Sequence, residues 1–168
     1  MSKLKGKLSF AEIHQALNIM ESLRVKMLYS QNFNQNVPLS KLVIDERKRI
    51  FLPDFGNIEI KLRPLEKTLY LFYLNHPEGI GLSYLRGKRE ELYEIYTSLS
   101  SIGNLQEMKN RIDDMANITS NSAAEKISKI KAAFANAIGD ELAKNYYIQG
   151  GNGELKKVLL NRDLLIKI

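Results

Sequence analysis

The side chains best suited to bind another molecule lie along residues 121–138. At about 100° per residue, the side of this segment opposite its apolar residues is polar. Asn, Ser and Lys side chains suit base edges and phosphates, and a glutamate can accept from a cytosine amino group. The candidates for contact with double-stranded DNA are Asn121, Ser122, Glu125, Lys126, Ser128, Lys129 and Asn136.

Two further basic groups lie outside this segment. Arg86, Lys88 and Arg89 fall at the start of a predicted helix, where free N–H groups favour anions. Lys156 and Lys157 follow a glycine-rich turn and are candidates for contact with flanking phosphates. The net charge of +6 permits a polyanionic partner. Taken singly, each of these lysines is better explained as part of a solvated face.

Several other chemistries find no support. The chain has no cysteine, which excludes disulfides, thiolate nucleophiles and cysteine-ligated metals. Its two histidines lie far apart, and the acidic pairs Glu90-Glu91 and Asp113-Asp114 sit on predicted helices, where neighbours point about 100° apart. We therefore expect no catalytic residues, no metal site, no cofactor and no enzymatic activity.

The elements that position these residues follow from local patterns. Asn121 or Ser122 caps a helix that Gly139 stops. Apolar spacing predicts other helices over residues 9–30, 65–75 and 88–99, and a short one after Asn104. Short apolar runs predict strands at 42–44, 50–52 and 58–62, and a C-terminal hairpin over 146–160 joined by the Gly-rich residues 150–153.

The helix over residues 9–30 carries an apolar stripe that needs a partner surface. Ser9 and Glu12 have the spacing of a capping box at its start. The stripe consists of Ile13, Leu17, Met20, Leu23 and Met27. We expect it to pack on its own domain, with two alternatives left open: pairing with a second copy in a homodimer, or covering the helix at 121–138.

The order of certain motifs resembles a known family. Ile60 to Leu69 resembles a strand that enters a helix through a proline, and Asn75-His76-Pro77-Glu78-Gly79 resembles the turn that ends that helix. Tyr147 to Gly153 resembles a wing. Over about residues 41–162 the chain resembles the DNA-binding effector domain of OmpR/PhoB-type response regulators, with an extra stretch at about 100–120. Its His-Pro-Glu-Gly-Ile and Tyr-Tyr-Ile-x-Gly segments are also similar to uncharacterised bacterial proteins.

The resemblance implies an α+β winged helix-turn-helix with N-terminal β strands, an extra N-terminal helix and a C-terminal β hairpin wing. Residues 1–38 would form the helix and a linker, and 39–168 the winged-helix-like domain. The implied function is a DNA-binding transcription regulator that uses helix 121–138 for recognition and hairpin 146–160 as the wing. The alternative is a protein–protein interaction module without DNA binding, which predicts an acidic or apolar patch over helix 121–138.

The sequence also bears on location. No stretch approaches the roughly 20 apolar residues that span a bilayer, and the lysines near the N-terminus precede a segment broken by Glu12, His14 and Gln15. Because this is not the pattern of a signal peptide, we expect a cytoplasmic protein with no membrane partner.

Overall fold

The computed structural model describes residues 9–30, 38–100 and 104–168, which form an α+β fold. Within these residues lie six α-helices: α1 Phe10–Ser30, α2 Pro64–Asn75, α3 Arg89–Leu99, α4 Leu105–Ala116, α5 Ser122–Ile138 and α6 Asp140–Ala143. The strands are β1 Leu42–Ile44, β2 Ile50–Leu52, β3 Ile58–Ile60, β4 Ile148–Gln149, β5 Lys157–Val158 and β6 Leu165–Lys167. The helices and strands predicted from apolar spacing are confirmed to within a few residues, and β6 is an addition.

A mixed four-stranded sheet has the strand order β3-β2-β1-β6 and includes the last strand of the chain. β1, β2 and β3 are antiparallel neighbours, and each buries its first and last residue, as the alternating pattern predicts. β6 returns from the C-terminal region and pairs parallel with β1, placing Val43 opposite Ile166. The sheet therefore joins segments that are more than a hundred residues apart.

α2 is the centre of the core, and two tyrosines tie other segments to it. Leu69 to Leu74 are all buried, as expected for a helix that is apolar nearly all round. Tyr70 Oη donates to the Tyr146 carbonyl at 2.7 Å, and Tyr146 Oη donates to the Ser40 carbonyl at 2.9 Å. Phe134 of α5 lies between these two rings, at 5.2 Å and 6.0 Å between ring centroids. One cluster thus links α2, α5 and the segments preceding β1 and β4.

α1 begins with the predicted capping box: Ser9 N–H donates to Glu12 Oε2, and Glu12 N–H donates to Ser9 Oγ. The expectation that its apolar stripe packs on its own domain is wrong, because all five residues of that stripe are exposed. The helix contacts α5 and β3 through another side, where Val25 is buried and Ser22 Oγ donates to the Ala137 carbonyl at 2.6 Å. None of the helices in the described ranges is long and apolar enough to cross a bilayer.

The C-terminal hairpin is short, and a third backbone segment pairs with it. β4 and β5 pair antiparallel, with Ile148 opposite Val158. Ile80, just after α2, forms a bridge to Lys156 through two backbone hydrogen bonds of 3.0 Å. The extra stretch noted at about 100–120 contains α4, which packs against α3 and α5.

Candidate nucleic-acid interface

α5 is held in place by its ends and its inner face. The Asn117 side chain accepts from Thr119 N–H and starts a 3-10 turn, Ile118–Ser120, which leads to Asn121 in the left-handed conformation (φ 59°). The Glu125 N–H then donates to the Asn121 carbonyl. Ala123, Ile130, Phe134 and Ile138 are buried against the core. Because the inner face is fixed, the opposite face must point to solvent.

The outer ridge of α5 is the row of exposed residues Asn121, Glu125, Ser128, Lys129 and Ala132. Ser128 Oγ donates to the Ala124 carbonyl at 3.1 Å, so its oxygen lone pairs stay available to a donor. Glu125 and Lys129 carry opposite charges, which makes this ridge polar and close to neutral. It is neither the strongly positive surface that DNA contact favours nor the acidic or apolar patch that the alternative predicts.

Two predicted contact residues of α5 lie off this ridge, and a third lies at its C-terminal end beside α1. Ser122 is buried, and its Oγ accepts from Lys126 Nζ at 3.0 Å. Lys126 is half-buried. Asn136 is exposed, but its carbonyl lies 3.4 Å from Ser22 Oγ of α1. A direct role for the Ser122 side chain in binding DNA is therefore contradicted by its burial, and α1 flanks the C-terminal half of α5.

The hairpin turn uses one of its two lysines internally. Lys156 is buried, and its Nζ donates to the carbonyls of Gly150 and of Gly151. Glu154 accepts from the Gly151 N–H on the same turn. The prediction that Lys156 contacts DNA is wrong, because its buried ammonium already donates hydrogen bonds to two backbone carbonyls. Lys157, the next residue of the strand, is exposed.

The basic group at 86–89 lies where a 3-10 helix, Leu82–Lys88, runs into α3. Lys88 Nζ is 3.9 Å from Glu91, and Arg89 Nη1 donates to Asp113 Oδ1 of α4 at 3.0 Å. Among the described residues, the exposed Arg86 side chain has no hydrogen-bond or ion-pair partner. Arg86 is thus the member of this group that is free to meet a phosphate.

A fourth group of cations was missed in the sequence. Arg63 at the start of α2, Arg111 of α4, and Lys126 and Lys129 of α5 line one cavity of about 260 Å³. We call this cavity the basic pocket. No local pattern points to it, because residues 63, 111 and 126 are brought together only by the packing of three helices.

His76 ends α2 and connects it to α3. Its Nδ1 lies 2.8 Å from Glu78 Oε1, and its Nε2 lies 2.8 Å from Glu91 Oε1. The hydrogen bond with His76, together with a backbone N–H, lowers the pKa of Glu78. The Glu90 side chain is exposed beside the half-buried Glu91, as expected for neighbours on a helix. Within the described residues, no three acidic or histidine side chains are arranged to hold a metal ion.

A scan against protein-family models, a search of curated proteins and a search of solved structures each find no match to this chain.

Proposed function

We propose that this chain is a winged-helix DNA-binding protein that regulates transcription, with α5 as the recognition helix and the β4–β5 hairpin as the wing. The observation that carries the proposal is the outer ridge of α5, which is exposed from Asn121 to Ala132 beside a glycine-tipped hairpin. An α-helix fits the major groove and reads bases through a face of this kind.

The arrangement of the other elements supports a winged helix. α2 and α3 pack on each other, α2 packs on α5, and the hairpin follows α5 after one short helix. The bridge between Ile80 and Lys156 adds the segment after α2 to the hairpin, as a third strand would. α4 is an insertion between the second and third helices of that arrangement.

The proposal includes pairing of two copies through α1. Phe10, Ile13, Leu17 and Met20 follow the alternating three- and four-residue spacing of a coiled-coil seam, and all four are exposed. A regular seam of this kind matches an identical helix in a second copy. A dimer would present two α5 helices to successive half-sites of a duplex.

The test is selection of bound duplexes from a random library, followed by fluorescence anisotropy at several salt concentrations. Wild-type protein is expected to prefer a defined sequence and to lose affinity steeply with salt. Asn121→Ala should cost about 1–3 kcal/mol and relax the preference at one base pair. Arg47→Gln, on the exposed β1–β2 turn, is the matched control and should leave the sequence preference unchanged.

Two outcomes would refute the DNA proposal. One is the absence of binding at low salt, and the other is binding that shows neither sequence preference nor dependence on Asn121. Because alanine at the left-handed φ of Asn121 costs about 1–2 kcal/mol, thermal unfolding must show that each variant is fully folded at the assay temperature, so that loss of binding is not loss of fold.

The alternative is a protein-interaction module on the same fold. It is favoured by three exposed apolar side chains, Tyr84, Ile118 and Leu155, which border one groove of about 280 Å³ beside the hairpin. If this alternative holds, Leu155→Ser should reduce binding of the protein partner in cells, while Asn121→Ala leaves that binding intact.

A further inference from the structure

We propose that the basic pocket is a binding site for a phosphate group. Four cationic side chains from three segments that are distant in sequence line it, together with Tyr96 of α3. Its volume of about 260 Å³ is several times the roughly 30 Å³ that one water occupies in the liquid. The pocket therefore has room for a tetrahedral oxyanion and some of its water.

The charge of this pocket is not balanced by the protein. Glu66 is its one acidic lining residue; its carboxylate is buried and accepts from the Arg63 N–H at 2.9 Å. Four cations against Glu66 in the lining and Glu107, which pairs with Arg111 from outside it, leave an excess of two positive charges. By contrast, the cavity between α3 and α4 is lined by two cations, Arg89 and Lys109, and by two carboxylates, Glu90 and Asp113.

The cationic side chains of the pocket differ in whether they already have hydrogen-bond partners in the protein. Arg111 bonds to Glu107 and lies 3.5 Å from Tyr96 Oη, and Lys126 donates to Ser122. Within the described ranges, Arg63 and Lys129 have no side-chain hydrogen bond or ion pair. These two residues can turn to an incoming anion without losing an existing partner.

Phosphate is the anion that this set of groups fits. A guanidinium presents parallel N–H donors that match two phosphate oxygens, and lysine adds point charge. The start of α2 contributes the partial positive charge of a helix N-terminus. An excess of two positive charges suits a dianionic group better than a single carboxylate, and a bound anion would relieve the mutual repulsion of the cations.

The phosphate has two sources, a soluble phosphate or the backbone of DNA. Lys126 and Lys129 belong to α5, so the pocket lies beside the outer ridge. A duplex on that ridge would bring backbone phosphates near. The proposal of a phosphate site depends only on the residues of the basic pocket. Only the assignment of the phosphate to the DNA backbone rests on the function proposed above.

The first measurement uses inorganic phosphate and the full chain. Titration with potassium phosphate, against potassium chloride at equal ionic strength, is followed by the backbone amide signals of Arg63 and Lys129. We expect saturable shifts with phosphate only, and a loss of affinity of about tenfold in Arg63→Gln, since charge-assisted hydrogen bonds are the strong ones. Arg47→Gln, which removes an exposed arginine elsewhere, should bind phosphate like the wild type.

The second measurement identifies the source with a duplex obtained by selection. If the backbone is the source, Arg63→Gln weakens binding equally for all sequences and lowers the salt slope by about one, and free phosphate competes. If a soluble phosphate is the source, Arg63→Gln loses inorganic phosphate binding but keeps its DNA affinity.

Identical responses to phosphate and chloride would overturn the proposed pocket. That result leaves the DNA proposal standing if Asn121→Ala still reduces DNA binding. Conversely, phosphate binding without any DNA binding would retain the pocket and remove the DNA proposal. The two proposals therefore fail separately.

Discussion

The ammonium group of Lys156 closes the hairpin turn by donating to two backbone carbonyls. Lys156→Met removes both hydrogen bonds and leaves these acceptors without their donor. We expect it to lower the free energy of unfolding by about 1–3 kcal/mol, measured by urea denaturation. Lys157→Met removes an exposed charge of the same strand, and its effect should stay within about 0.5 kcal/mol. A larger effect at Lys157 would contradict this account.

The Glu78 carboxylate is sensitive to acid because of His76. Its hydrogen bond with that side chain lowers the pKa of Glu78 from 4.5. A lowered pKa in the folded state means that the contribution is present above pH 4.5 and is lost as pH falls through the folded value. Glu78→Gln should therefore be less stable than the wild type near neutral pH, and the difference should close in acid.

Urea midpoints measured from neutral pH down to pH 3 would check this prediction about Glu78. The control is Glu46→Gln, which removes an exposed carboxylate on the β1–β2 turn. A gap between wild type and Glu78→Gln that stays constant across the range would show that the carboxylate is not the group responsible.

At the scale of elements, α1 turns its apolar seam away from the protein. Replacing Leu17 and Met20 together by serine should convert a dimer into a monomer, because these residues are exposed and their loss removes the seam. Sedimentation velocity over a range of concentrations measures the change. Leu159→Ser, at an exposed leucine outside α1, is the matched control and should remain dimeric.

The stability of the monomer should be nearly unaffected by the same double change in α1, because the substituted side chains are not in the core. A wild-type chain that sediments as a monomer at every concentration would contradict pairing through α1. In that case the helix would serve only to flank α5.

At the scale of the whole molecule, the buried tyrosines couple the sheet, α2 and the hairpin. Burial raises the pKa of Tyr70 well above 10, so its hydroxyl remains the donor to the Tyr146 carbonyl. Tyr70→Phe should lower the free energy of unfolding by about 1–3 kcal/mol, because a buried acceptor loses its partner. Tyr84→Phe, at an exposed ring, should change it little.

The raised pKa of Tyr70 also sets a dependence on alkali. A group whose pKa is higher in the folded state contributes stability that is lost as pH rises above its unfolded value near 10. The urea midpoint of the wild type should therefore fall above pH 10, and that of Tyr70→Phe should fall less. Equal alkaline slopes for the two proteins would contradict the assignment to Tyr70.

Local sequence determined the elements of this protein. The signals that set these elements act over a few residues and can be read from the sequence alone. They are capping residues such as Ser9, apolar spacing along α2 and α5, and glycines such as Gly139. The β1–β2 hairpin and the α+β class follow from the same short-range patterns. The order of these elements also supplied the winged-helix expectation, which stays a proposal.

Tertiary structure alone decided which faces meet. β6 pairs with β1 across more than a hundred residues, and α1 buries Val25 while exposing the stripe that its periodicity marked as inner. The same packing buries Lys156 and gathers Arg63 and Arg111 into one pocket with two lysines of α5. These outcomes depend on contacts between segments that are distant in sequence, and patterns of neighbouring residues do not predict such contacts.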